Sequence, residues 1–403
     1  MKIKNCRSCK SLSLTKVYSF GRQALTGIFL TKKNSKISKG DLSMVICNKC
    51  KLLQLEDNFD ANEMYGENYG YMSSLNSSMV SHLKIKALNL KKIYNLKSKN
   101  NILDIGSNDG TFLSFFNNKF KLYGCDPTIK KFDHLYRKDI KRLPFFFSSK
   151  HFIKQKFDLI TSVSMFYDLP DPLNFAKEIH SILNDKGVWH IELSYMPMMI
   201  KNTSYDTICH EHLEYYSLKS LKNLLDRANL KIINLSFNQI NGGSIALDIS
   251  KKKSSLKECK HLISWVLESE HLNGYNRIDK QKEFFKQCQI HKYLLKKLLL
   301  KLKKQNKKII GYGASTKGNV MLQFCNIDSK IINSIAEVNK FKFNKFTPGS
   351  KIKIISEKEA QLKKPDFMLV LPWHFKDHII KREQKFLKSG GKLIFPLPDI
   401  EII

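Results

Sequence analysis

The stretch NNILDIGSNDGTFLSFF, residues 100–116, limits the fold more than any other part of the chain. An apolar strand ends at Asp104, the chain turns at Gly106 and Gly110, and an apolar-periodic segment that reads as a helix follows. Glycines let a backbone approach a ligand closely, and a helix N-terminus offers free N–H groups. The spacing is G-x-x-x-G, not the dinucleotide G-x-G-x-x-G, and no Walker lysine follows. Roughly 20 residues on, YGCDP closes a second strand with Asp126, the position where a carboxylate holds a ribose diol. Asp104, Gly106, Ser107, Asn108, Gly110, Asp126 and Pro127 are therefore the expected cofactor-binding residues.

The elements downstream extend this unit. FDLITSVSMF and GVWHIELSY read as strands, and SLKSLKNLLDRANL as a helix with Leu218, Leu221, Leu224 and Leu225 on one face. KIINLSFNQI and GSIALDIS then read as a hairpin around Asn241-Gly242-Gly243. A strand–Asp–x–Gly unit with an acid after the next strand resembles the class I S-adenosylmethionine-dependent methyltransferases, whose sheet also ends in a helix and a closing hairpin. The expected methyltransferase domain spans 61–253.

A chain of 403 residues has room for two to three cores. Residues 254–304 are Lys/Leu-rich and helical in pattern, and 305–403 alternate strands and helices, the mark of a second, doubly wound α/β domain. Its opening strand–GYGASTKGN–helix is again an anion-cradling pattern, with Gly313, Ser315 and Thr316 at the turn and Lys317 as point charge. A plain tight turn is the alternative reading of the glycines.

Ahead of both lie Cys6-Arg-Ser-Cys9 and Cys47-Asn-Lys-Cys50, separated by 37 residues. Four thiolates in two knuckles make a closed tetrahedral zinc site that holds a small module, here 1–60, together; a hairpin is expected between them. All four positions are filled by protein, so the zinc reads as structural. No apolar run approaches the roughly 20 residues of a membrane span, and a cytoplasmic protein with reduced thiols is expected. The net charge of +33 invites a nucleic-acid reading. The basic residues form no confined block, however, and Lys, Asn, Ile and Phe are enriched together as codon bias would enrich them. A nucleic-acid partner is therefore not expected, and a nucleotide diphosphate meets the charge equally well. A monomer or weak dimer is expected.

Two segments carry chemistry beyond these frames. MYGENYGYMSS holds Tyr65, Tyr69 and Tyr71 before a helix that Ser73 or Ser74 would cap, with Met79, Leu83 and Leu88 on its apolar face. CHEHLEYYS, 209–217, sets two histidines at i and i+2, so it is not the H-E-x-x-H of a metalloprotease. In an extended loop His210 and His212 would share a cleft while Glu211 turns away. One imidazole would take a proton beside a carbonyl while a neighbour stabilises the enolate. Cys209 reads as a small buried filler.

Taken together, Y-x-Y-x-S-S, LDIGSNDGTFL, YDT-x-x-HEH-x-x-YYS, NGGS and GYGASTKGN, behind a four-cysteine module, resemble the sugar-nucleotide C-methyltransferase family over essentially the whole chain. The resemblance implies three parts: a zinc module, a methyltransferase domain, and a C-terminal α/β domain that helps hold a nucleotide-linked 4-keto-6-deoxy sugar. It makes His212 the base, Glu211 its active-site neighbour, Tyr69 or Tyr71 the tyrosine that reaches the sugar, and Lys317 a contact of the diphosphate. Two departures stand out. Cys209 occupies the place of a family tyrosine, for which Tyr215 or Tyr216 is a candidate replacement, and SMFYDLPDP differs from the family's histidine-bearing loop. An O-methyltransferase, an RNA or protein methyltransferase and a non-catalytic binder are the competing readings.

Overall fold

The computed structural model describes residues 2–64 and 71–403. Tyr65 and Tyr69 lie outside the described residues. Seventeen strands make three sheets among the described residues. The first begins with β1 (Leu14–Ala24), β2 (Lys39–Cys47) and β3 (Leu53–Leu55). Here the expected hairpin between the cysteine pairs is present, with Leu14 facing Cys47 and Ala24 facing Lys39.

The middle of the chain supplies β4 (Asn101–Ile105), β5 (Lys121–Cys125), β6 (Ile140–Leu143), β7 (Phe157–Val163), β8 (Leu183–Ser194), β9 (Glu214–Tyr215), β10 (Leu230–Asn238) and β11 (Ser244–Lys251). Seven of them form one sheet in the order β6-β5-β4-β7-β8-β11-β10, parallel except at β11 and β10. Sheets of this kind are covered on both faces, and β4 and β7 accordingly read as nearly unbroken buried runs. The helix Leu218–Arg227 packs with Leu218, Leu221 and Leu224 fully buried. Its start is fixed by Ser217, whose hydroxyl accepts from the Ser220 amide while the Ser220 side chain reaches back. Truncating one such leucine to alanine costs about 2–5 kcal/mol. The odd strand is β9, which leaves this domain and pairs with β3, so the zinc module's sheet runs β1-β2-β3-β9.

The C-terminal sheet contains β12 (Ile309–Tyr312), β13 (Ser334–Glu337), β14 (Lys353–Ser356), β15 (Phe367–Val370), β16 (Lys392–Phe395) and β17 (Glu401–Ile402), in the order β14-β13-β12-β15-β16-β17. This is a doubly wound order that reverses between β12 and β15. Helices Lys260–Leu272 and Ile278–Lys304 connect the two α/β units.

Three local expectations give way. No long helix follows the first glycine turn: only a 3-10 turn, Leu113–Phe115, is present, because the Arg137 guanidinium donates to the Ser114 and Phe116 carbonyls that a helix would have used. The helix Ser77–Ile93 is capped by Asn76, whose side chain accepts from the Ser78 and Met79 amides, and not by Ser73 or Ser74. Its buried face is Met79, Leu83, Ala87 and Leu90, whereas Leu88 is about half exposed.

Candidate active site

The two α/β sheets present their switch points to one another, and the CHEH loop runs between them. In the methyltransferase-like sheet the order reverses between β4 and β7. After β4 the backbone turns left-handed at Gly106 (φ 78°), Asn108 (φ 49°) and Gly110 (φ 75°). A Cβ at Gly106 would lie 2.9 Å from Met165 Cγ, so only glycine lets the turn close against the loop after β7. At the end of β5, Asp126 is buried and its carboxylate accepts from the Asn108 amide (2.9 Å) and from the Thr128 amide and hydroxyl (2.7 and 2.6 Å). A carboxylate offers about four acceptor positions. With two bonds on Oδ1 and one on Oδ2, Asp126 keeps room on Oδ2 for a ribose hydroxyl, and the expected cofactor residues fit an S-adenosyl group.

Other members of the expected cofactor set have protein partners. The Asn108 side-chain oxygen accepts from the Ser73 amide (3.0 Å) and Asp109 from the Ser74 amide (2.9 Å), which ties the segment bearing Tyr71 to the turn. Ser107 Oγ meets the Tyr136 hydroxyl at 2.8 Å, and Asp104 accepts from the Thr161 hydroxyl at 2.6 Å. Burial raises the Asp104 carboxyl to about 7. Tyr71 stays about half exposed, with its carbonyl oxygen 3.3 Å from Asn108 Nδ2.

At the end of β7, Ser164 is held left-handed (φ 56°), and the next turn delivers Tyr167. The Tyr167 carbonyl accepts the Leu213 amide at 2.7 Å, and its ring lies against the His212 ring with centroids 4.3 Å apart. His212 Nδ1 stands 2.7 Å from the Thr207 carbonyl oxygen. Burial and then the Lys317 ammonium push His212 down to about 3, so the imidazole is neutral.

His210 and His212 do not share a cleft. The His210 ring is fully buried against the zinc module, with Nε2 at 3.2 Å from the Gly40 carbonyl and its face to Phe59. Pairing of β9 with β3 begins just beyond, and it turns the loop so that alternate residues no longer face one side. Glu211 points elsewhere again, accepting the Thr26 hydroxyl at 3.1 Å. A Cβ on Gly27 would come 2.5 Å from Glu211 Oε1 and 3.9 Å from Thr316 Oγ1, so all three parts of the chain converge there. Cys209 is buried and desolvation pushes its thiol well up, in keeping with a filler. Tyr215 places its hydroxyl 3.5 Å from the Thr207 carbonyl, whereas Tyr216 is buried towards Arg7 and Glu214.

The C-terminal domain brings Lys317 into this centre. Its Nζ donates to the Asn241 carbonyl at 3.0 Å, and Asn241 Nδ2 lies 3.3 Å from Ser164 Oγ, so the bridge joins the two switch points. From the loop after β15, Trp373 Nε1 donates to Asp206 Oδ2 at 2.8 Å. Asp206 Oδ1 and His374 Nδ1 are buried without a hydrogen-bond partner among the described residues. Burial and then Lys317 push His374 well down, leaving it neutral. The turn at Gly313 is no open anion cradle, because Glu337 Oε2 already accepts the Ala314 amide (3.0 Å) and Oε1 the Val338 and Asn339 amides. No role was read for Tyr167, Asp206, Trp373 or His374 in the sequence, although SMFYDLPDP holds Tyr167 and the YDT run beside HEH holds Asp206.

In the N-terminal module the Sγ atoms of Cys6, Cys9, Cys47 and Cys50 all lie within 4.8 Å of one another, with Cys6–Cys50 and Cys9–Cys47 at 3.5 Å. Tetrahedral zinc thiolate at 2.3 Å needs sulfurs about 3.8 Å apart, so the cage fits. Lys10 and Lys51, each following the second cysteine of a pair, are both left-handed (φ 59° and 63°), which makes the two knuckles alike. Gln54 Nε2 donates to Cys6 Sγ at 3.4 Å as an outer support.

Sheet order, glycine turn and ribose acid define an S-adenosylmethionine-dependent methyltransferase of class I, carrying a zinc-binding module and a second C-terminal α/β domain. Family models match in that order: a zinc binding domain over residues 6–65, a methyltransferase domain over 81–235, and a C-methyltransferase C-terminal domain over 239–398. Together the three models match most of the chain. C-methyltransferase NovU of Streptomyces niveus is 26% identical over 413 residues, covering 100% of this chain and 97% of that protein. The tRNA U34 carboxymethyltransferase of Campylobacter jejuni is 29% identical over 157 residues, 35% of this chain and 53% of its own length. A solved S-adenosylmethionine-dependent methyltransferase from Clostridium acetobutylicum ATCC 824 is 14% identical, with 43% of this chain and 92% of that chain covered at a TM-score of 0.35. No helix among the described residues is long and apolar enough to cross a membrane.

Proposed function

We propose that the protein transfers a methyl group to carbon on a nucleoside-diphosphate-linked 4-keto-6-deoxy sugar. One observation carries this reading: a neutral His212 whose Nδ1 is engaged by the Thr207 carbonyl, which leaves Nε2 with a free lone pair between the two switch points. The full-length similarity to C-methyltransferase NovU supports carbon as the acceptor.

Asp126, Gly106 and the turn through Gly110 would hold S-adenosylmethionine, which supplies a sulfonium methyl when bound. His212 Nε2 takes the proton from the carbon beside the ketone. Tyr167, packed on His212, gives this chain a phenol next to its base and so answers the loss of tyrosine at Cys209. Glu211, fixed by Thr26, holds the loop in register with the zinc module. Trp373 and Asp206 close the cleft from the C-terminal side and exclude water from the carbanion.

The test is deuterium exchange and methyl transfer on a panel of nucleotide-linked 4-keto-6-deoxy sugars, read by mass spectrometry with and without S-adenosylmethionine. Exchange without the cofactor, and gain of one carbon-bound methyl with it, is the expected result. Methylation at oxygen without prior exchange would refute the enolate route.

A further inference from the structure

Resting on that reading, we propose that Lys317 is the electrophile of the reaction: its ammonium faces the ketone oxygen and stabilises the enolate, and it does not grip the diphosphate. The lysine belongs to the C-terminal domain, yet its Nζ sits on the Asn241 carbonyl, one hydrogen bond from Ser164 at the end of β7. That places the charge at the methyltransferase switch point. One N–H of the ammonium is spent on Asn241, and the other two stay available to an oxygen.

The turn that carries Lys317 is poorly suited to phosphate. Its Ala314 amide is taken by the Glu337 carboxylate, the Gly318 amide by Ser315 Oγ, and the Ala314 carbonyl by Lys342. The Glu337 carboxylate, itself paired with Lys342 at 3.6 Å, occupies the turn that a phosphate would otherwise take.

The groups facing His212 and Lys317 are Asp206 and Cys209 from the same loop, Tyr167 from the β7 side and His374 from the C-terminal domain. His374 and His212 are neutral, which leaves Lys317 as the cation of this cluster. Burial lowers Lys317 from its ordinary 10.5, while Asp206 and then Cys209 oppose the shift and favour the ammonium. Asp206 itself is steadied by the Trp373 N–H.

The step balances. The C–H electron pair moves into the ring C–C bond, the carbonyl π pair moves onto oxygen against Lys317, and the proton goes to His212 Nε2. As the enolate collapses, its carbon bonds to the methyl, the S–CH3 pair stays on sulfur, and the carbonyl re-forms. Lys317 also depresses His212 before reaction. A new negative oxygen beside the ammonium cancels that field, so the base strengthens as the proton arrives.

Lys317→Gln keeps a donor for Asn241 without the charge, and Lys317→Arg keeps the charge. For Lys317→Gln, cofactor-free exchange and kcat should each fall about 100- to 1000-fold, as for loss of one oxyanion donor, with unchanged Kd for S-adenosylmethionine and for the sugar nucleotide. Lys317→Arg should recover part of the rate. Weakened binding of the sugar nucleotide and of free nucleoside diphosphate, with exchange at saturation intact, would overturn the proposal in favour of a phosphate contact. Loss of both ligands together with a lowered Tm would overturn it in favour of a strut. If wild-type protein exchanges no keto sugar, the substrate reading fails by itself, and NMR titration of His212 still decides the placement. The proposal expects His212 to titrate higher in Lys317→Gln; an unchanged midpoint overturns it.

Discussion

His212 Nδ1 and the Thr207 carbonyl oxygen are 2.7 Å apart, and this contact fixes the tautomer of the imidazole. A carbonyl cannot donate, so Nδ1 carries the hydrogen. His212→Gln is expected to bind both ligands normally and to lose roughly 100- to 10,000-fold in turnover. Near-native rates would end its assignment as base.

Acid should loosen the fold through the same residue. His212 falls from 6.5 to about 3 on folding, so the unfolded chain binds more protons between those values. The stability it contributes is complete above about 6.5 and is lost as pH falls towards 3. Thermal melts from neutral pH down to about pH 4 should show a falling Tm, with a shallower slope in His212→Gln; identical slopes would contradict the neutral, partly buried imidazole.

Asp126 binds the turn and is assigned the ribose at once. Asp126→Ala removes a charged hydrogen-bond acceptor worth about 1.5–3 kcal/mol, so affinity for S-adenosylmethionine should fall roughly 10- to 150-fold or more. Calorimetry that gives a wild-type Kd would remove the ribose assignment.

Metal analysis should find one zinc per chain on the four cysteines. Because β9 completes the zinc sheet, chelation should raise amide exchange through 209–216 as well as 6–50. Protection of 209–216 that survives metal removal would show that the loop holds itself.

Trp373→Phe keeps the ring packing and removes the donor to Asp206, at a cost of about 1–3 kcal/mol for a buried carboxylate left without it. Both Tm and kcat should drop. A lowered Tm with full kcat would mean that the contact only fastens the domains.

Much of this architecture was legible in residue order. Cysteine spacing gave the cage, because knuckles are local. Most strands of both α/β units could be read because parallel sheets bury whole runs such as ILDI and FMLV, whereas the edge strands β6 and β17, largely exposed, could not. Most of the other missed features depend on partners far along the chain. Arg137 ends the turn at Leu113–Phe115 from a distant loop and β9 turns His210 away from His212, whereas the cap by Asn76 is local and lies a few residues past the expected serines. Tyr167 and Trp373 carry no motif of their own, and Trp373 meets Asp206 only when the C-terminal domain docks.

The pairing of β3 with β9 also has a consequence for synthesis. Leu53 waits for Tyr215, and most of the methyltransferase sheet is translated in between. The zinc module leaves the ribosome before the methyltransferase sheet, and therefore finishes its own sheet late and shows a bare strand edge until then. Nascent chains stalled before residue 214 should be the aggregation-prone ones, and the cysteine cage, although encoded in the first fifty residues, matures together with the catalytic loop.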